Sequence, residues 1–158
     1  MTEKEDERYL QEAIKEAEKS VDKGGGPFRA VLVKEGRIIA RSGNTVTLHN
    51  DPTAHAEVNV IREGGRRLRT FDLSGTVIYA SAEPCPMCLG AIYWANIDRV
   101  VFAASRNEAA DAGFRDAMIY TELALPPDQR HLPHCHLPLP ERKEPFEKWK
   151  EKEDRTEY

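Results

Sequence analysis

Three residues whose side chains bind soft divalent metals stand at two places in the chain: His55, and the pair Cys85 and Cys88. The cysteines are three apart at the start of a predicted helix, so both fall on one face of its first turn. A helix N-terminus lowers thiol pKa and favours the thiolate that a metal requires. Two thiolates and an imidazole suit zinc, cancel its charge, and leave one tetrahedral position free, which is the mark of a catalytic site. Glu57 lies two residues beyond His55. On a regular helix that spacing points the two side chains nearly opposite ways. A shared site therefore requires the metal to lie off the helix end, with the longer Glu reaching around. Glu57 could then take a proton from a water at the free position and deliver it elsewhere. A lone Cys-x-x-Cys also reads as a redox pair or as half of a structural zinc knuckle. Pro86 and Met87 within the motif disfavour redox, and a structural site needs a fourth ligand from Cys135 or a nearby His.

The elements that must position these residues can be read from the hydrophobic pattern. Residues 3–23 form an amphipathic helix, with Leu10, Ala13, Ile14, Ala17 and Val21 at three- and four-residue steps. The run Gly24-Gly25-Gly26-Pro27 ends it. Two β-rich runs, Phe28–Lys34 and Arg37–Ser42, flank Glu35-Gly36 as a hairpin. Asp51 and Pro52 announce a helix running to about Glu63, stopped by Gly64-Gly65. Thr76–Ala80 is a buried strand, Pro84-Cys85-Pro86 opens a helix to about Ala95, and Arg99–Ala104 is another strand. Asp116–Ala124 and Glu144–Glu153 read as helices. The stretch 131–140 is extended, broken by prolines, and suggests a strand leading into an arm. Strands alternating with helices after residue 51 give a three-layer α/β/α sandwich. His55 and the Cys pair each begin a helix that follows a strand run, and such helix starts gather at one edge of an open sheet.

The 158 residues suffice for one domain with its own core. A net charge of -4 argues against a general nucleic-acid binder. No apolar run approaches the roughly 20 residues of a membrane helix. The first residues lack the pattern of a signal peptide, so the expected compartment is a reducing cytoplasm. Three cysteines, an odd number, then favour metal or redox chemistry over disulfides.

His55-Ala56-Glu57 followed by Pro84-Cys85-Pro86-Met87-Cys88 is the signature of zinc-dependent nucleobase deaminases. Over nearly its whole length the chain resembles the bacterial guanine deaminases of the cytidine-deaminase-like superfamily. The resemblance rests on Gly25-Gly26-Pro27-Phe28, on 50–57 and on 83–95. It also rests on Ala112-Gly113-Phe114 through Asp116, on Ile119-Tyr120 and on Glu157-Tyr158. The zinc motifs are shared with tRNA adenosine and cytosine deaminases; region 112–120 and the terminal Tyr point to guanine. The resemblance implies a mixed five-stranded sheet, one catalytic zinc per subunit, and hydrolysis of guanine at carbon 2 to xanthine and ammonia. It implies His55, Cys85 and Cys88 as ligands, Glu57 as proton carrier, and Asp116 at the exocyclic amine. Asn44 and Ala56 would contact the base, and Phe28 and Trp94 would flank it. Tyr158 would close the pocket from a partner subunit, with the C-terminal arm, about 126–158, exchanged across a homodimer.

Read without the resemblance, Phe28 and Trp94 are core aromatics, Asn44 a turn residue, Asp116 a helix cap and Tyr158 a terminal residue. The cluster His131, His134, Cys135 and His136 lacks knuckle spacing, and in a strand Cys135 faces away from His134 and His136. Arg62, Arg66, Arg67 and Arg69 read as a solvated helix end. Arg29 departs from the Gly usual in the family after Pro-Phe; strand alternation puts it on the face opposite Phe28. The rival functions are a tRNA adenosine deaminase, a deaminase of guanosine or an aminotriazine, and a structural-zinc or redox module.

Overall fold

The computed structural model describes residues 2–114 and 116–158. Arg115, within the 112–116 stretch of the resemblance, and Met1 lie outside the described residues. The chain divides into a unit ending at Ala117 and a second, Met118–Tyr158, which contains the expected arm.

The first unit opens with helix α1 (Glu3–Asp22). Thr2 and Glu5 close a capping box at its start, satisfying N–H groups that the first turn leaves unpaired. Strands β1 (Arg29–Lys34) and β2 (Arg37–Gly43) form the expected hairpin. Glu35 and Gly36 both have positive φ, 49° and 72°, as a type I′ turn requires. After a short helix α2 (Val46–His49) come α3 (Ala56–Leu68), β3 (Thr76–Ala82), α4 (Pro86–Trp94) and β4 (Arg99–Ala104). Helix α5 (Arg106–Asp111) follows, and α6 (Ala117–Ala124) starts at the last residue of this unit and continues in the second.

The sheet order is β2-β1-β3-β4, with β1 antiparallel to β3 and β3 parallel to β4. The α4 crossover supplies the length that a parallel pair needs. Alternate residues of each strand serve opposite faces. Val31, Val33, Val77 and Tyr79 pack with Tyr9 and Ala13 of α1. Ala30, Leu32 and Ile78 pack with Ala56 and Val60 of α3 and with Ile92 of α4. This is the expected α/β/α sandwich.

The sheet has four strands among the described residues, not five. The extended stretch 131–140 joins no ladder, and Pro133, Pro138 and Pro140 have no backbone N–H to give to one. The second unit instead carries two 3-10 turns (Pro127–Gln129 and Pro140–Lys143) and helix α7 (Glu144–Glu151). Asp51 does not begin α3. It accepts bonds from the backbone and hydroxyl of Thr53, closing a turn, and α3 starts only after His55. Gly64 and Gly65 do not stop α3 either; it ends at Arg69, which takes the left-handed conformation usual for a C-terminal cap.

Candidate active site

Both ligand-bearing segments enter helices, and both ligands at the junctions are N-cap residues. His55 caps α3 with extended backbone (φ -69°, ψ 157°), and Cys85 caps α4 likewise (φ -65°, ψ 168°). An N-cap residue leaves the helical path, so its side chain lies off the helix end. That resolves the awkward two-residue spacing: His55 precedes the helix while Glu57 sits in its first turn. Cys88 lies one turn into α4, fully buried. His55, Cys85 and Cys88 present ligand atoms all within 4.8 Å of one another.

His55 Nδ1 is 3.6 Å from Cys85 Sγ and 3.5 Å from Cys88 Sγ. A tetrahedral zinc with Zn–S about 2.3 Å and Zn–N about 2.0–2.1 Å has S···N edges of about 3.6 Å. The three side chains therefore fit zinc in donor type and spacing. Two helix N-termini aim their positive ends at the thiols, which suits thiolate ligands. Hydrogen bonding from Cys88, and then from His55, holds the Cys85 thiol well below the usual thiol range. Its bond to Cys85, burial and the nearby Glu57 keep the proton on Cys88. Cys88 Sγ donates to Glu57 Oε2 at 3.4 Å. Binding a cation would displace that proton.

Glu57 is buried, and burial pushes its carboxyl above the usual range. Donating a hydrogen bond to Cys85 raises His55, as do the charges of Cys85, Glu57 and Asp116. Asp116, half-buried, thus lies within electrostatic reach of the ligand group.

The aromatic wall comes from the residue just before β1 and from the segment after α5. Phe28 meets Phe114 edge-to-face, with ring centroids 4.6 Å apart. Asn44 adjoins Phe28: its N–H donates to the Phe28 carbonyl at 3.2 Å. Its side-chain Oδ1 accepts from Val46 N–H at 3.1 Å, opening α2. Ala56 is sealed in the core, so the group it can offer is its backbone N–H in the first turn of α3, which has no intrahelical acceptor. Trp94 is not brought to the ligand group. It stands at the other end of α4, six residues or about 9 Å of helix beyond Cys88, 71% exposed, lining a groove of about 570 Å³ with Phe71 and Ile61. Tyr158 belongs to the second unit and is exposed. Arg29 leaves the site as alternation predicts: its Nε donates to the Glu16 carbonyl of α1 at 3.3 Å.

The family described as the cytidine and deoxycytidylate deaminase zinc-binding region matches residues 3–104, which include every ligand and Glu57. The chain belongs to this zinc-binding deaminase family. It is 46% identical over 153 residues to the guanine deaminase of Bacillus subtilis, covering 96% of this chain and 98% of that one. The crystal structure of guanine deaminase from Bacillus subtilis superposes with a TM-score of 0.95 at 45% identity, covering 100% of this chain and 99% of the other. The tRNA-specific adenosine deaminase of Bacillus subtilis is 48% identical, but over 99 residues only, 63% of this chain and 62% of that enzyme.

Within this deaminase the second candidate cluster does not assemble. Among the described residues, only His55, Cys85 and Cys88 group as a set of metal donors. His131 Nδ1 pairs with Glu122 at 2.9 Å, and His134 Nδ1 with the Leu132 carbonyl at 2.7 Å. The arginines of α3 are largely engaged: Arg62 with Asp51, Arg66 and Arg67 with Glu63. Sequence reasoning passed over Asn59. The one available signal was its position four residues after His55, which places both along one side of the α3 start.

Proposed function

We propose that this zinc-dependent aminohydrolase converts guanine and water to xanthine and ammonia. The match to guanine deaminase along 96% of the chain carries this reading. The adenosine-deaminase match stops at 63%.

When bound by His55, Cys85 and Cys88, zinc acts as a Lewis acid that makes a water nucleophilic at neutral pH. The residues of the chain do the rest. Glu57, buried and raised in pKa, is suited to take one proton from the attacking water and give it to a ring nitrogen, and then to carry the remaining hydroxyl proton to the departing amine. Asp116 would accept from the exocyclic amine at carbon 2. The Asn44 carbonyl oxygen is used by Val46, which leaves its amide N–H groups to donate to an acceptor on the base. The Ala56 N–H would serve the same edge. Phe28, braced by Phe114, offers a flat face for the ring.

We further propose a homodimer with exchanged C-terminal segments. Met118, Leu123, Leu132, Leu137, Leu139 and Phe146 of the second unit are all at least 61% exposed, an apolar surface that asks for a covering partner. Tyr158, in the exchanged segment, would then close the pocket of the opposite protomer. A monomer in sedimentation at micromolar concentration would remove the partner from the site. Free thiols at Cys85, Cys88 and Cys135 accord with a cytoplasmic place of action. No helix of the described residues is long and apolar enough to cross a membrane.

The deciding experiment is ammonia release from guanine, adenine, cytosine, guanosine, an aminotriazine and an RNA anticodon stem-loop. Guanine should be turned over best. Turnover of adenosine in the RNA, with none of guanine, would overturn the substrate assignment.

A further inference from the structure

The side-chain amide of Asn59, one turn into α3, spans three separate pieces of backbone. Its Nδ2 lies 3.0 Å from the Gly43 carbonyl at the end of β2, 3.0 Å from Thr45 Oγ1, and 3.2 Å from the Ala54 carbonyl. Three acceptor oxygens around one atom decide the orientation of the amide: nitrogen faces them, and an oxygen there would be repelled by two carbonyls. Two N–H bonds serve three acceptors, so one is shared. The same junction is closed by Thr45 N–H donating to the Ala54 carbonyl at 2.9 Å, and Asn59 N–H donates to the His55 carbonyl at 2.9 Å.

These contacts join the residues flanking Asn44 to the residue preceding His55. Gly43 and Thr45 bracket Asn44, and Ala54 leads into the ligand. No regular element links them otherwise: α2 and its following turn lie between, and the sheet ladder ends at Gly43. We propose that Asn59 is a positioning residue for the deamination. Its amide sets the placement of Asn44 relative to His55, and so the angle at which the base meets the metal centre. The inference rests on the proposed contact of Asn44 with the base. Asn59 is half-buried among these loops, and its side-chain hydrogen bonds go to Gly43, Thr45 and Ala54 rather than to the ligands' donor atoms. A small error in such a placement is costly, since a misplacement of about 1 Å can lower turnover on the order of 100-fold.

The test is a double-mutant cycle on the full chain loaded with zinc. Asn59→Asp keeps the shape and removes the donor; Asn59→Ser, which keeps a shorter donor, serves if the carboxylate variant does not fold. Each is measured alone and combined with Asn44→Ala, for kcat and KM on guanine and for zinc per chain. Asn59→Asp should retain its zinc and lose roughly 10- to 100-fold in kcat/KM, with Asn59→Ser between it and the parent. Its split between kcat and KM should follow that of Asn44→Ala. In the Asn44→Ala background the further loss should stay within about twofold, because the group being positioned is gone. Losses that multiply in the double variant, beside a costly Asn44→Ala, would overturn this inference alone. An Asn44→Ala variant as active as the parent would overturn the Asn44 contact and this inference with it.

Discussion

Glu57 and Cys88 show how one environment sets two protonation states. They touch at 3.4 Å in a space closed to water, so burial and mutual charge both favour a proton between them. Once both thiols serve as ligands, the carboxyl would be the proton carrier left beside the metal, the role proposed for it. The sign of its shift suits that duty: a raised carboxyl holds a proton nearer neutral pH, where it can be both taken and given. Glu57→Gln keeps the volume and removes the carrier. It should lower kcat by about 10²–10⁴-fold with zinc per chain unchanged, read by metal analysis beside steady-state kinetics. Near-parental turnover in that variant would refute the role.

At the scale of elements, α3 must lie close to the sheet for its first turn to face α4. Gly64 permits this. A Cβ there would collide with Leu32 Cδ2, and Leu32 is fully buried in the core. The two glycines that look like a helix stop are thus inside the helix, at least one of them for close packing. Gly64→Ala would gain about 1 kcal/mol of helix propensity but overpack the core, which costs typically about 1–3 kcal/mol. The expected net effect is a lower melting temperature, measured by calorimetry on the zinc-loaded protein. A raised one would show that Leu32 repacks freely. Similar logic explains why the expected helix start at Asp51 gave way. Its carboxylate is satisfied locally by Thr53, leaving His55 to cap the helix and face the centre.

At the scale of the whole molecule, α1 is tied to the sheet by a polar clasp beside the Tyr9–Tyr79 contact. Tyr79 Oη donates to Asp6 at 2.6 Å, and Arg99 of β4 pairs with the same carboxylate. The Tyr79 hydrogen bond, and then Arg99, hold the Asp6 carboxyl below its ordinary value of 3.8. A carboxyl lowered in the folded state stabilises the fold above that ordinary value. The contribution disappears as pH falls through the lower, folded value. The stability gap between the parent and Asp6→Asn, read from urea midpoints, should therefore be constant from pH 7 to about 5 and shrink below about 4. A gap that widens in acid would refute the clasp.

The ligand types, their order along the chain and the helix start that carries the two cysteines follow from sequence alone, because residue chemistry and local capping rules act over a few neighbours. The four strand runs were legible for the same reason, through their β-branched and apolar composition. Tertiary packing decided what no local rule carries: that Trp94 stands away from the centre of its own chain, and that Asn59 bridges two loops. Each depends on contacts between segments remote in sequence, whose free energies local propensity does not contain.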